Sequence, residues 1–394
     1  MSNARPEESI FTPYLSPSLA SHLSSTPTPI DVDSLSRTPL SRLQQTALPK
    51  LGLIELVSST DFTTLYDDLY ISSFPRSLER ENSDLIVARL SAQAANTRTG
   101  LAPYHIVGLR DREGKAIGAA QFSVLPLPVR TDIDTDTDTN TNTNLYNKIN
   151  DTTHPDTLRD GETTGPSPPA LAVPYLQYIY IRPSSRRQDM SEVLHAFVLA
   201  VTAADAATIL SFPTSTSPVV PVPNGVSTTP GSRIQTRIRT RTAHVPFTLF
   251  ETEPPNHGTD ASSRSYALER SKIHTSSGGI AVVLLRRHAG PRGDSDDDEE
   301  SQQILSAHVQ PGLEPDDPPL TLVWVIRPSP NPGISYDIKL IGKDLVAAYY
   351  QSLRDEGFPQ SNIALAEKMF EERCRDAEFH LMPLADVSDF TNTS

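Results

Sequence analysis

The chain of 394 residues has a single cysteine, Cys374, so it can form no internal disulfide and cannot supply a cysteine-rich zinc site. Glycine is scarce, at 18 residues, and neither a complete P-loop nor a dinucleotide-binding glycine fingerprint occurs. No stretch approaches 18 uninterrupted apolar residues, and Met1 to Leu40 lacks the charged head and apolar run of a secretory signal. No membrane partner is therefore expected, and the expected location is the cytoplasm, with access to the nucleus. His105, His195, His244, His274, His308 and His380 are scattered without ligand spacing, so no metal site is expected. Basic residues are also in deficit, 34 Lys+Arg against 48 Asp+Glu, a net charge of −14. That balance argues against a general nucleic-acid binder, which needs a basic face to neutralise phosphates.

Proline, by contrast, is plentiful: 35 residues, roughly 9% against an average near 5%. It concentrates with Ser and Thr. Residues 1–48 read as a disordered arm, and low-complexity inserts are expected at about 130–169, 213–242 and 288–303. The first insert carries an Asp/Thr/Asn near-repeat from Asp132 to Asn144, the second a basic run of Arg233, Arg237, Arg239 and Arg241, and the third an acidic run from Asp294 to Glu300. Such segments bury little and cannot offset their ordering entropy. What remains, 49–386 without its inserts, suits one elaborated domain with a helical C-terminal extension over 343–386.

Periodicity within that domain predicts alternating elements. Strands are expected at 52–57, 104–109, 116–125, 171–181, 245–251, 280–285, 320–326 and 378–382, the second and third joined as a hairpin at Gly114. Helices are expected at 61–70, with Phe62, Leu65 and Leu69 on the inner face, at 78–95, with Leu85, Ala88 and Ala92 inward, and at 190–204, 261–273, 343–356 and 361–373. In the strand 171–181, alternation places Leu176, Tyr178 and Tyr180 on one face and Gln177, Ile179 and Ile181 on the other. The order defines an α/β (α+β) protein, a mixed sheet covered by helices.

The strand–turn–helix from Tyr178 to Ser191 contains Ile181-Arg182-Pro183, then Arg186-Arg187-Gln188-Asp189-Met190-Ser191. It resembles the acetyl-CoA-binding motif of the GNAT superfamily of N-acetyltransferases, in which an apolar strand leads through Pro into an Arg/Gln-x-x-Gly-x-Gly/Ala turn opening a helix. Arg186 holds the leading position, Asp189 replaces the first Gly, and Ser191 the second small residue. Glu251-Thr252-Glu253-Pro254 and Gln310-Pro311-Gly312-Leu313 resemble segments of one GNAT subgroup. The resemblance implies a mostly antiparallel twisted sheet, acetyl-CoA as co-substrate, and cofactor contacts at Ile179, Ile181, Arg186, Arg187, Gln188, Asp189, Met190 and Ser191. Backbone N–H groups and the positive helix end would hold the pyrophosphate there.

The implied reaction is acetyl transfer to an amine of a small molecule or of a protein (a Lys side chain or N-terminus). Glu251 is the expected general base and Tyr266 the expected general acid, although the spacing also allows that position to fall on Ala267 or Leu268. Two alternatives stay open: Glu251 and Glu253 as structural or solvated charges at a strand end, and a catalytically inactive GNAT-fold protein that serves as a CoA-binding or protein-interaction module. The helices at 343–356 and 361–373 are candidates for pairing subunits into an oligomer.

Overall fold

The computed structural model describes residues 8–76, 80–98, 101–127, 170–209, 243–287, 302–333, 335–387 and 390. The expected inserts at 130–169 and 213–242, and nearly all of the one at 288–303, lie outside the described residues. Strands β1 (Leu51–Leu56), β2 (Tyr104–Asp111), β3 (Ala116–Leu127) and β4 (Ala170–Ile181) form an antiparallel meander. A second antiparallel group, β6 (Phe247–Thr252), β9 (Val323–Pro328), β7 (Ile280–Arg287) and β10 (Ala377–Pro383), continues the sheet in the order β1-β2-β3-β4-β6-β9-β7-β10. Short β5 (Ala243–His244) joins β4, and β8 (Gln302–Ser306) joins β7. The join between the two groups is parallel, and only Tyr175 and Leu249 pair across it. The protein is thus mixed α/β with a mostly antiparallel open sheet.

Two layers of helices cover the sheet. On one face α6 (Met190–Ile209) packs across β3 and β4, with Val193, Phe197 and Val201 fully buried. This helix is long and apolar enough to cross a membrane, but here it is the buried core helix. Beside it α7 (Ala261–Ser276) lies against β6, where His274 meets Phe250 at a ring separation of 4.7 Å. On the opposite face, α3 (Ser59–Asp61), a π turn (Phe62–Tyr66), α4 (Asp67–Ser73) and α5 (Ser83–Ala94) cover one end. At the other end α8 (Ile338–Glu356) and α9 (Gln360–Cys374) pack over an apolar cluster containing Trp324, Tyr349 and Phe379.

The N-terminal segment departs from the expected disordered arm. Its Ser and Pro residues are caps and turns: Ser16 accepts from the Leu19 N–H at 3.2 Å and Pro17 opens α1 (Pro17–Leu23). The scattered Leu residues are the inner stripe of α1 and α2 (Leu40–Thr46), and Phe11, Leu19, Leu43 and Ala47 are fully buried against the α6 layer. Composition concealed this, because a few apolar residues at helical spacing suffice when a large partner helix is already present.

Two inner faces also differ from expectation. Ile86, Arg89 and Leu90 are the buried residues of α5, while Leu85 is 53% exposed, because Arg89 is drawn in by its ion pair with Glu81. Across the π turn, Phe62 is inward as expected, Tyr66 and Tyr70 are buried with it, and Leu65 and Leu69 are only partly buried at the margin of the same cluster. The extra residue of the π turn keeps these aromatics aligned every four positions.

Candidate functional site

The cleft begins where β4 leaves β6. In the β3–β4 ladder Gln121 pairs with Tyr178 and Phe122 with Leu176, so Gln177 is the extra residue of a β-bulge. The bulge breaks the alternation: Leu176 packs with the α6 cluster, while Tyr178 and Tyr180 join the opposite cluster around Tyr70. It also bends β4 away from β6. Past Tyr175, the β4 edge facing β6 has no strand partner among the described residues.

Three cavities line up along this opening. A cavity of about 190 Å³ lies between α6 and α7, bordered by Ser191, His195, Ile273, His274 and Arg327. It shares Phe74, Gln177, Tyr178, Glu251 and Arg270 with a cavity of about 240 Å³ on the α8 face. It shares Phe74, Ile179 and Ser191 with a third, of about 250 Å³, reaching Ile181 and Arg186. The parting of two strands thus makes a passage through the sheet.

At the outer end, the turn before α6 adopts left-handed backbone at Arg187 (φ 60°) and Asp189 (φ 55°). Short polar Asp is among the few side chains that tolerate this conformation in place of glycine. Its carboxylate is turned to the N-terminal segment, where it accepts 2.9 Å bonds from Arg42 Nε and Nη2 and a 2.8 Å bond from the Thr46 hydroxyl. These hydrogen bonds hold the Asp189 carboxyl below its ordinary pKa. The negative charge that would repel a phosphate is therefore neutralised by the same segment. Of the expected cofactor residues, Ile179, Ile181, Arg186 and Ser191 border the outer cavity. The Met190 side chain is core, and Gln188 donates to the Ser184 carbonyl at 3.3 Å.

At the inner end, Glu251 is held on several sides. The Tyr175 hydroxyl donates to it at 2.7 Å and the Tyr349 hydroxyl at 2.9 Å, and His308 Nε2 stands 2.6 Å away. Gln310, with its amide nitrogen toward the carboxylate, adds contacts of 3.1 and 3.3 Å. Burial alone would push this carboxyl up, but the His308 ring and the two tyrosine hydroxyls outweigh it and hold Glu251 below its ordinary value. A carboxylate so stabilised is a weak proton acceptor.

Glu356, at the end of α8, borders the same cavity and has the opposite character. Burial pushes its carboxyl above the ordinary value against the pull of Arg89. Gln177 Nε2 donates to its Oε1 at 2.7 Å, and the Ser123 and Ser352 hydroxyls reach the same oxygen at 3.1 Å. Two carboxylates of one cavity with proton affinities pushed apart are the arrangement expected of an acid–base site. Sequence reasoning did not reach Glu356, which lies far from the Glu251 segment and looks like an ordinary helix-end charge.

Tyr266 is not brought to the cleft. Ala267 and Ser271 are the buried positions of α7 and Arg270 and His274 border the cavities, whereas Tyr266, one position off this stripe, is 53% exposed. Tyr178 is the hydroxyl-bearing side chain common to the two inner cavities. Burial pushes its phenol up to about 12, so it keeps its proton at neutral pH.

In comparisons with protein-family models, curated proteins and solved structures, nothing matches this chain.

Proposed function

We propose that this protein is an acetyl-CoA-dependent N-acetyltransferase of GNAT-like design whose acceptor is a cationic amine. The observation that carries the reading is the parting of β4 from β6 after the Tyr175–Leu249 pair, over the bulge at Gln177. An open strand edge leaves main-chain N–H and C=O groups that an extended diamide ligand, such as a pantetheine arm, would satisfy as an added strand. The left-handed turn at Arg187 and Asp189 and the head of α6 suit a pyrophosphate at the far end of that arm. The residues fit the cofactor because Arg42 and Thr46 hold the Asp189 charge aside. When bound, the cofactor supplies an activated acetyl thioester.

The chain's own residues do the rest. Glu81, Glu251, Glu253 and Glu356 border the α8-face cavity, against Arg270 as the one cationic lining residue among those described. Arg270 is itself paired with Glu253 at 3.0 Å. The excess of carboxylates favours an ammonium-bearing acceptor. In this reading Glu251 stays ionised and positions the amine, Glu356 takes its proton, and the Tyr178 phenol is the proton donor to the departing sulfur. The bulge at Gln177 sets Glu356 beside the point where β4 opens, through the 2.7 Å bond between them.

The alternative of a catalytically inactive GNAT-fold protein, serving as a CoA-binding or protein-interaction module, is favoured by two observations: Glu251 is held by four side chains, and Tyr266 is 53% exposed and borders none of the three cavities. Titration calorimetry with acetyl-CoA and with CoA tests the cofactor site, with micromolar affinity expected. Absence of heat at millimolar ligand would overturn both readings that rest on that site. Turnover of a polyamine panel then separates enzyme from module.

A further inference from the structure

Outside the cleft, three ligating side chains meet at one point. His22 lies on α1, His105 on β2 and Asp205 near the end of α6. The two histidine nitrogens and a carboxylate oxygen all fall within 4.8 Å of one another. His105 Nε2 is 2.7 Å from Asp205 Oδ2 and His22 Nε2 is 3.2 Å from Oδ1. Asp205 is 7% exposed, and the two rings meet edge to face with centroids 5.4 Å apart.

We propose that His22, His105 and Asp205 form a binding site for a divalent transition metal, zinc by its ligand set, that clamps the N-terminal segment to the core. Hydrogen bonding explains only half of the arrangement. The His105–Asp205 contact is a good hydrogen bond, but His22 Nε2 is buried and, despite its proximity, is not aligned to make one. Buried nitrogens without partners are costly, and a metal ion would use this one. Zinc bound at about 2.0–2.1 Å from each ligand spaces neighbouring tetrahedral ligands by about 3.3 Å. The contacts of 3.2 and 2.7 Å, one to each oxygen of the Asp205 carboxylate, lie near that spacing. Two neutral imidazoles and one carboxylate suit zinc better than calcium or magnesium, which prefer all-oxygen sets. A solvent molecule would complete the set from the His22 side, whose side chain is 25% exposed.

The site is remote from the passage. Asp205 follows Met190 by about 15 residues of α6, roughly 22 Å. Its role is therefore to hold α1, since His22 comes from the N-terminal segment while His105 and Asp205 belong to sheet and core helix.

The test uses the full chain, stripped with chelator and desalted. Zinc titration against a chromophoric chelator is expected to show one equivalent bound with micromolar affinity or better, and a rise in thermal midpoint on the order of 5 °C. Cobalt substitution is expected to give the visible absorption of a tetrahedral site. His22→Ala removes the most exposed ligand: affinity should fall by at least about 30-fold, the thermal shift should vanish, and circular dichroism and acetyl-CoA binding should be unchanged. His380→Ala, on β10, should change nothing. No zinc uptake at 100-fold excess, or equal affinity in His22→Ala, overturns the proposal.

Discussion

Glu356 shows most directly how a residue's environment decides its role. Its pKa is raised by burial, so its ionised, proton-accepting form appears only above the ordinary carboxylate range. The rate kcat/KM should therefore rise with pH along a limb displaced upward from that range. Glu356→Gln should lose about 100-fold or more in kcat and also lose the limb, measured by pH profiles of both proteins. Glu251 has the opposite sign. Its folded pKa lies below the unfolded one, so its stabilising contribution is present at neutral pH and is lost as pH falls through the depressed value. Glu251→Gln should accordingly flatten the acid limb of stability measured by denaturant unfolding below pH 5. Tyr178→Phe removes the 2.9 Å bond from the Glu81 N–H to the phenol oxygen and the phenol's hydrogen bond with Tyr70, and should lower kcat by about 10-fold or more with little change in KM. The strand-end motif singled out Glu251 in the sequence, but Tyr349 lies 98 residues from it and Gln310 lies 39 residues from Tyr349, separations no local pattern reveals.

At the scale of the element, α8 has one position whose packing allows no extra atom. A Cβ at Gly342 would fall inside the contact distance of the Phe379 ring on β10. Gly342→Ala should destabilise the fold by about 1–3 kcal/mol through overpacking, despite the better helix propensity of Ala, and chemical denaturation measures it. Most strands and long helices were legible because their apolar residues recur at a period of two or near four. The strand 171–181 was placed correctly, and Tyr178 and Tyr180 lie opposite Ile179 and Ile181 as expected, but Leu176 falls on the other face, since the bulge at Gln177 is a one-residue irregularity that the alternation rule cannot anticipate. The helices α1 and α2 were hidden by the Ser, Thr and Pro residues that cap and separate them. Their stability comes from α6, not from their own propensity.

For the molecule as a whole, the N-terminal segment is the least expected part of the architecture. Removing residues 1–48 should uncover Phe197 and its neighbours on α6, because Phe11 packs edge-on against that ring at 5.3 Å. The shortened protein should be insoluble or melt at least about 10 °C lower in a thermal shift assay. The same removal would unbind Asp189. Arg42→Ala alone should weaken acetyl-CoA by about fivefold to tenfold by leaving a carboxylate beside the phosphates, and Asp189→Gly added to it should restore the affinity. That rescue has an inherited counterpart. Positions 42 and 189 are 147 residues apart yet share one charge balance. In descendants of a common ancestor the two should change together: a chain with Gly at the turn has no use for a base at the first position, and one that keeps the acid must keep its cation.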